Sequence, residues 1–178
     1  MSLSAANGAV TLENPDGLHK LDLCKACVTS AQDWPDYELL PIAEEEIYAV
    51  AGPAYIARAG KPETPAEMTL HQLIHLEEPF RPAANWKEWF QSAGVNGAVA
   101  KRGLVINDYV LVIQAVMEGQ GIALGWRHLT DRLIAGGLLV RLTGHAMTTS
   151  GGFHVAWPKN RPLSESAEKV RDWLSTQA

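Results

Sequence analysis

Four sets of residues in this chain of 178 have types and spacing suited to chemistry. Cys24 and Cys27 form a lone CxxC pair, the spacing of a redox couple or of half a zinc site. Zinc takes four ligands, yet no second CxxC follows and His19 is the only histidine nearby in the chain. Strand residues three apart also face opposite sides, which hinders a bridge, so the pair reads as two small buried or half-buried thiols. Glu44, Glu45 and Glu46 make a brief acidic run. Three adjacent residues cannot all face one ion on regular backbone, and the run reads as a solvated turn or strand edge. His19, His71, His75, His128, His145 and His154 lack metal-ligand spacing, so no metal site and no cofactor are expected. The nucleophile elbow GxSxG, the zinc-binding HExxH, the P-loop and a strand-following GxGxxG are all missing. Gly119-Gln120-Gly121 follows a helical stretch and precedes a strand, the reverse of the order that places phosphates at a helix N-terminus.

The fourth set is the pair Asn107-Asp108. It stands at the carboxyl end of a strand and the start of a helix, where open α/β sheets gather ligands beside amide donors and a positive dipole end. Simple helix capping is the competing role, because Asn and Asp do that work in many helices. Trp126 ends the next strand, and sits at the same edge if the strands are parallel.

The elements that position these residues follow from periodicity. Val10–Leu12 and Leu21–Val28 read as strands around the turn-forming Asn14-Pro15-Asp16-Gly17. Tyr37–Ile42 and Glu45–Val50 read as two more. At Pro53 the period changes: Ala54–Arg58 fits a short helix ended by Gly60, Thr69–Leu73 a helical turn, and Ile74–Glu77 a short strand. Asn85 can cap a helix whose Trp86, Trp89 and Phe90 form an apolar stripe that reads as core. Gly103–Ile106 is a strand, Tyr109–Glu118 a helix, and Ile122–Trp126 a strand apolar enough to be buried on both faces, as parallel strands are. Leu129–Ile134, Leu138–Leu142 and Phe153–Pro158 continue the alternation. Ser164 opens a last helix through Val170, Trp173 and Leu174. The alternation predicts an α/β sheet with helices on its faces.

Composition agrees with a globular domain, at 47% apolar and 20% charged residues, which excludes disordered and collagen-like classes. Fifteen basic against twenty acidic residues, a net charge of -5, argue against nucleic-acid or anionic-membrane binding by this surface. The N-terminal residues do not read as a secretory signal and no stretch is apolar enough for a membrane span, so a soluble, cytoplasmic protein is expected.

The stretch Leu104-Val105-Ile106-Asn107-Asp108-Tyr109 through Gln114-Ala115-Val116-Met117-Glu118-Gly119-Gln120-Gly121-Ile122-Ala123-Leu124-Gly125-Trp126 resembles the ligand-sensing domain of LysR-type transcriptional regulators. Leu133–Arg141, Trp157-Pro158 and Asp172-Trp173-Leu174 look like the helix-turn-strand and the ending found there. Upstream, Asp22-Leu23, Asp33-Trp34-Pro35 and Gly52-Pro53-Ala54-Tyr55 resemble the subgroup of glycine-cleavage and β-lactamase activators. The likeness covers about residues 10–178 of the sequence.

The resemblance implies a periplasmic-binding-protein-like α/β fold of two lobes joined by crossing hinge strands, with an effector in the cleft. Residues 1–52 and 153–178 would form lobe I, and 53–152 lobe II. The winged helix-turn-helix, the linker helix and the first strand and helix of lobe I find no counterpart in this sequence, so lobe I is expected to be incomplete. Effector-facing residues, by position in the family, are Thr29 and Ser30 with Cys27 at a strand end, His75 and Glu77, Asn107 and Asp108, Trp126, and Phe153. Asn107 is the expected polar anchor. The implied mechanism is lobe closure on a small molecule (an amino acid, a peptide or a small carboxylate) that shifts how a homodimer or higher oligomer presents DNA-binding domains. DNA would be met only through the missing N-terminal domain, and no membrane partner is implied. The family places the helix 109–118 in a dimer interface, weakened here if its partner helix is absent.

Two other functions compete. A stand-alone solute-binding protein would share the fold, but such proteins are usually exported and carry a signal. A small enzyme using Asp108 with a histidine as acid and base would need that carboxylate within about 3 Å of an imidazole. The regulatory reading calls for no chemistry, and the chain is expected not to be an enzyme.

Overall fold

A computed structural model describes residues 3–6, 9–13, 20–24, 35–77, 84–97 and 103–176, the first three segments as backbone strands. The chain divides into two compact units, Met1–Glu45 with Thr149–Ala178, and Glu46–Thr148.

Among its described residues the first unit is an antiparallel ladder with one helix. Strands β1 (Leu3–Ala6), β2 (Ala9–Glu13) and β3 (Lys20–Cys24) pair in sequence, and β3 pairs in turn with β9 (Met147–Pro158), Leu23 opposite Val155. The predicted hairpin between β2 and β3 is present, while its turn residues lie outside the described ones. Helix α5 (Glu165–Ser175) opens on Ser164, whose hydroxyl accepts from the Ala167 amide at 3.2 Å.

The second unit has the α/β alternation. After β4 (Tyr37–Ala51), which runs through both units, come α1 (Pro53–Ala59), a 3₁₀ turn at Glu67–Leu70, β5 (Ile74–Leu76) and α2 (Trp86–Ser92). Then follow β6 (Leu104–Ile106), α3 (Tyr109–Met117), β7 (Ile122–Trp126), α4 (Arg127–Ala135) and β8 (Val140–Arg141). Strands β5 and β6 are parallel, with Leu76 opposite Ile106. Strand β7 pairs antiparallel with β4, Ile47 opposite Trp126, and Leu73 just before β5 makes a parallel bridge to Ile122. All five residues of β7 are buried. The burial expected of a parallel strand is therefore real, but β7 is parallel only toward β5 and antiparallel toward β4.

The core of this unit gathers Tyr48 and Val50 of β4, Ile74 of β5, Val112, Ile113 and Val116 of α3, Ala123 of β7 and Leu139. Beside it, Trp86, Trp89 and Phe90 are all buried, and Trp86 and Trp89 meet edge to face with centroids 5.6 Å apart. Both indole N–H groups are satisfied by main-chain carbonyls, Trp86 Nε1 donating to Ile74 and Trp89 Nε1 to Ile47 at 2.9 and 3.1 Å. The stripe read from the sequence as core is core.

Several boundaries differ from the sequence reading. The two strands expected over 37–42 and 45–50 are one, because β-bonding continues through the acidic run and no turn interrupts it. Glu45 is consequently buried on a strand rather than solvated in a turn, and its carboxylate accepts from the hydroxyl of Thr149. The helical turn expected at 69–73 is set earlier, leaving Leu73 extended and free to bridge β7. The strand expected over 138–142 is only Val140–Arg141, and β9, expected over 153–158, begins at Met147.

Candidate functional site

Three strand ends converge in the second unit. Carrying the parallel register of Leu76 with Ile106 forward by one residue sets Glu77 beside Asn107, and the ladder continues there, since the Glu77 amide donates to the Ile106 carbonyl at 2.9 Å. Leu73, just before β5, bridges Ile122 at the start of β7, and Glu77 and Trp126 both line one cavity at the far end of these strands. Glu77, Asn107 and Trp126 thus each stand at the carboxyl end of a strand, β5, β6 and β7, where α/β sheets bind ligands.

Two glycines permit this convergence. A Cβ on Gly103, at the entry to β6, would fall 1.6 Å from the Leu73 carbonyl oxygen, and one on Gly121, at the entry to β7, 2.6 Å from that of Gln72. Only hydrogen side chains let both strands approach the lead-in to β5 so closely.

A cavity of about 90 Å³ opens at this edge, lined by His75, Glu77, Asn85, Trp86 and Trp126 over an apolar floor that includes Val112 and Leu124. Three residues singled out in the sequence, His75, Glu77 and Trp126, are therefore brought together. Asn85 and Trp86 were read there only as cap and core. They reach the cavity because α2 starts at the same edge, a placement that the strand-end, helix-start logic applied to Asn107 would also have given. Asn85 does cap: its Oδ1 accepts from the Glu88 amide at 3.0 Å while a Glu88 carboxylate oxygen accepts from the Asn85 amide at 3.2 Å, a reciprocal capping box.

Asn107 and Asp108 are exposed residues of the β6–α3 turn and do not line this cavity. One Asp108 carboxylate oxygen accepts from the amides of Val110 and Leu111 at 2.8 and 3.1 Å. Its partners are those amides, not an imidazole, so the acid–base pairing that an enzyme would need at this residue is not formed. Phe153 is buried on β9 in the first unit. Thr29, Ser30 and Cys27 lie outside the described residues. Among the described residues, no group of three or more His, Cys, Asp or Glu side chains is placed to hold a metal ion.

Beneath the end of β7 runs a polar network that the sequence did not reveal. The Tyr48 hydroxyl donates to Asp131 Oδ1 at 2.6 Å and lies 3.0 Å from the Thr130 hydroxyl, which in turn donates to the Trp126 carbonyl at 2.9 Å. Burial, and then the bond to Asp131, push the phenol up to about 12. Arg127 bridges Asp131 and Glu46 at 3.1 and 2.9 Å. These residues fix where β7 ends and α4 begins, and so where Trp126 sits.

The fold is that of a periplasmic-binding-protein-like α/β domain. Residues 19–178 match the family described as LysR substrate binding domain, and the chain belongs to that family. It is 26% identical over 145 residues to the HTH-type transcriptional activator AmpR of Rhodobacter capsulatus, covering 82% of this chain and 47% of that protein. It is 20% identical over 146 residues to the glycine cleavage system transcriptional activator of Escherichia coli K12, with the same coverage, 82% and 47%. Among solved structures, the effector domain of AmpR from Pseudomonas aeruginosa superposes with a TM-score of 0.62 at 23% identity, covering 81% of this chain and 66% of that one. The AmpR effector binding domain of Citrobacter freundii superposes with 0.64 at 17% identity, covering 80% and 68%. The chain spans about half the length of the curated relatives it matches. No helix among the described residues is long and apolar enough to cross a membrane.

Proposed function

We propose that this chain is the effector-sensing domain of a LysR-type transcriptional regulator of the cytoplasm. In this reading it binds a small molecule and passes the resulting conformational change to a DNA-binding domain. The observation that carries the reading is the cavity at the carboxyl ends of β5 and β7, lined by Glu77 and Trp126, with Asn107 beside Glu77. A ligand held there acts by binding one conformer better than another, which shifts their populations without any bond being made or broken. The matches to regulators favour this over a stand-alone solute-binding protein. They also favour a binding role over an enzymatic one.

Lobes at 1–52 with 153–178 and at 53–152 remain our reading of the division of labour, as do Thr29, Ser30 and Phe153 as effector contacts of lobe I and Asn107 and Asp108 as contacts of lobe II. Self-association as a homodimer or higher oligomer is supported by the exposed apolar side chains Val110 and Leu111 of α3.

The test is a thermal-shift screen of this chain against amino acids, short peptides and small carboxylates, since a ligand that binds only the native state raises its melting temperature. A hit whose effect Asn107→Ala abolishes supports the sensor reading. Cooperative melting with no response to any of the three classes counts against it.

A further inference from the structure

We infer that the cavity in the second unit takes its ligand by a protonated amine, so that the effector presents an ammonium group, not a carboxylate, to this half of the domain. The inference rests on the sensor reading above and adds the chemistry of the group bound here.

The argument is one of charge and of committed donors. Among the described residues lining the cavity, Glu77 is the one with a carboxylate, and no lysine or arginine lines it. Glu77 is exposed at the rim, where its oxygens can meet a ligand. Nearby negative charges reinforce it. Asp108 stands at the same sheet edge, one residue beyond the Asn107 that flanks Glu77, and Glu88 sits in the first turn of α2 behind Asn85.

The helix ends that might have favoured an anion are already occupied. The first-turn amides of Val110 and Leu111 in α3 are bonded to Asp108, and in α2 the Glu88 amide is bonded to Asn85 with the Glu88 carboxylate returned to the cap. A carboxylate at each helix start offsets the positive end of the dipole.

Three arginines among the described residues of the unit are committed to other partners. Arg58 donates to the Gly119 carbonyl at 2.6 Å, Arg127 bridges Glu46 and Asp131, and Arg141 donates to the carbonyls of Thr143 and Gly144. Lys87 on α2 is exposed and does not line the cavity.

The walls suit the same guest. Trp86 and Trp126 both line the cavity, and the Trp86 indole N–H is given to the Ile74 carbonyl, which leaves that side chain's ring surface as what it offers. An aromatic wall beside a carboxylate is the arrangement that receives an alkylammonium, which gains both a charge-assisted hydrogen bond and a cation–π contact. A carboxylate placed here would face Glu77, with no lysine or arginine among the described lining residues to offset it.

Three matched sets of probes decide the matter in thermal-shift and calorimetric titrations: free amino acids, the same amino acids as amides, and the same amino acids N-acetylated. We expect the amides, which keep the amine and lose the carboxylate, to stabilise the domain, and the N-acetylated compounds to lose most of the effect. Glu77→Gln should weaken binding of the amides by on the order of ten-fold or more, the scale of one hydrogen bond to a charged group. Glu63→Gln, the same charge change at an exposed residue away from the cavity, should leave binding as it is. Because Glu77 is exposed, its substitution should not alter melting without ligand, and that melt serves as the folding control. N-acetylated compounds binding as well as the amides, or Glu77→Gln leaving amide binding unchanged, would overturn this inference while leaving the sensor reading in place. If none of the three sets stabilises the domain, both fall together.

Discussion

The phenol oxygen of Tyr109 accepts a hydrogen bond from the main-chain amide of Trp126 at 3.1 Å, and the two rings meet edge to face with centroids 5.0 Å apart. Tyr109 is the first residue of α3, directly after Asn107 and Asp108, so this contact ties the β6–α3 turn to the end of β7. Burial drives the phenol's pKa well above its ordinary value, so it stays protonated, with its oxygen free to accept. Tyr109→Phe keeps the ring and strips the Trp126 amide of its partner. Leaving a buried donor unpaired costs about 1–3 kcal/mol. Urea unfolding of the two proteins measures it, and a difference below about 0.5 kcal/mol would show that the amide has found another partner.

Asp108 separates capping from ligand contact. Asp108→Asn keeps a side-chain oxygen for Val110 and Leu111, whereas Asp108→Ala removes it and should cost about 1 kcal/mol. Stability that is unchanged in the Asn variant together with an altered ligand response would assign the charge a role beyond the cap. A parallel loss of both would leave it as a cap.

Gly121→Ala tests whether the strand convergence makes the site. The added Cβ would lie 2.6 Å from the Gln72 carbonyl oxygen and must push β7 away from the lead-in to β5. We expect a destabilisation of roughly 1–3 kcal/mol from overpacking and a weakened ligand response. A full ligand response in a protein that still folds would mean that this close approach is not required.

His145 gives the second unit a pH dependence. Its ring packs edge to face on Trp89 at 5.0 Å and its Nε2 lies 2.9 Å from the Ser92 hydroxyl, which itself donates to the Trp89 carbonyl, so the imidazole is the donor between them. Burial, and then Arg141, lower its pKa, favouring the neutral ring. The unfolded chain thus takes up the proton first as pH falls. This contribution to stability is complete above the unfolded value of about 6.5 and is lost progressively as the pH drops from there through the lower folded value. His128, also lowered by burial and then by Arg132, acts in the same direction. Denaturation between pH 7.5 and 5 should show falling stability, and His145→Gln should flatten part of that slope. An unchanged slope would place the titration elsewhere.

Self-association is read directly by sedimentation. Val110 and Leu111 are 69% and 52% exposed on α3. A concentration-dependent dimer that Leu111→Glu returns to monomer is the expected result. A species of constant mass in both proteins would remove this face from consideration.

Much of the site's framework was legible in the residues. Asn85, Asp108 and Ser164 announce helix starts because a short polar side chain is what the first-turn amides need, and all three accept from those amides here. The apolar run 122–126 announces a buried strand, and Trp86, Trp89 and Phe90 a packed helix face, because burial alone sets those patterns. The resemblance over the segment 104–126 supplied the family. Tertiary structure alone decided that β4 continues through Glu44–Glu46, since ladder pairing outweighs three like charges whose side chains alternate in direction. It alone decided that Leu73 bridges Ile122 and that Glu77 and Trp126 line one cavity. Register between strands separated by helices is a property of packing and of two close glycine approaches, at Gly103 and Gly121, that leave no periodic trace in the chain. The bonds from Tyr48 to Asp131 and from Trp126 to Tyr109 join residues far apart in sequence, and only the folded core brings them within reach.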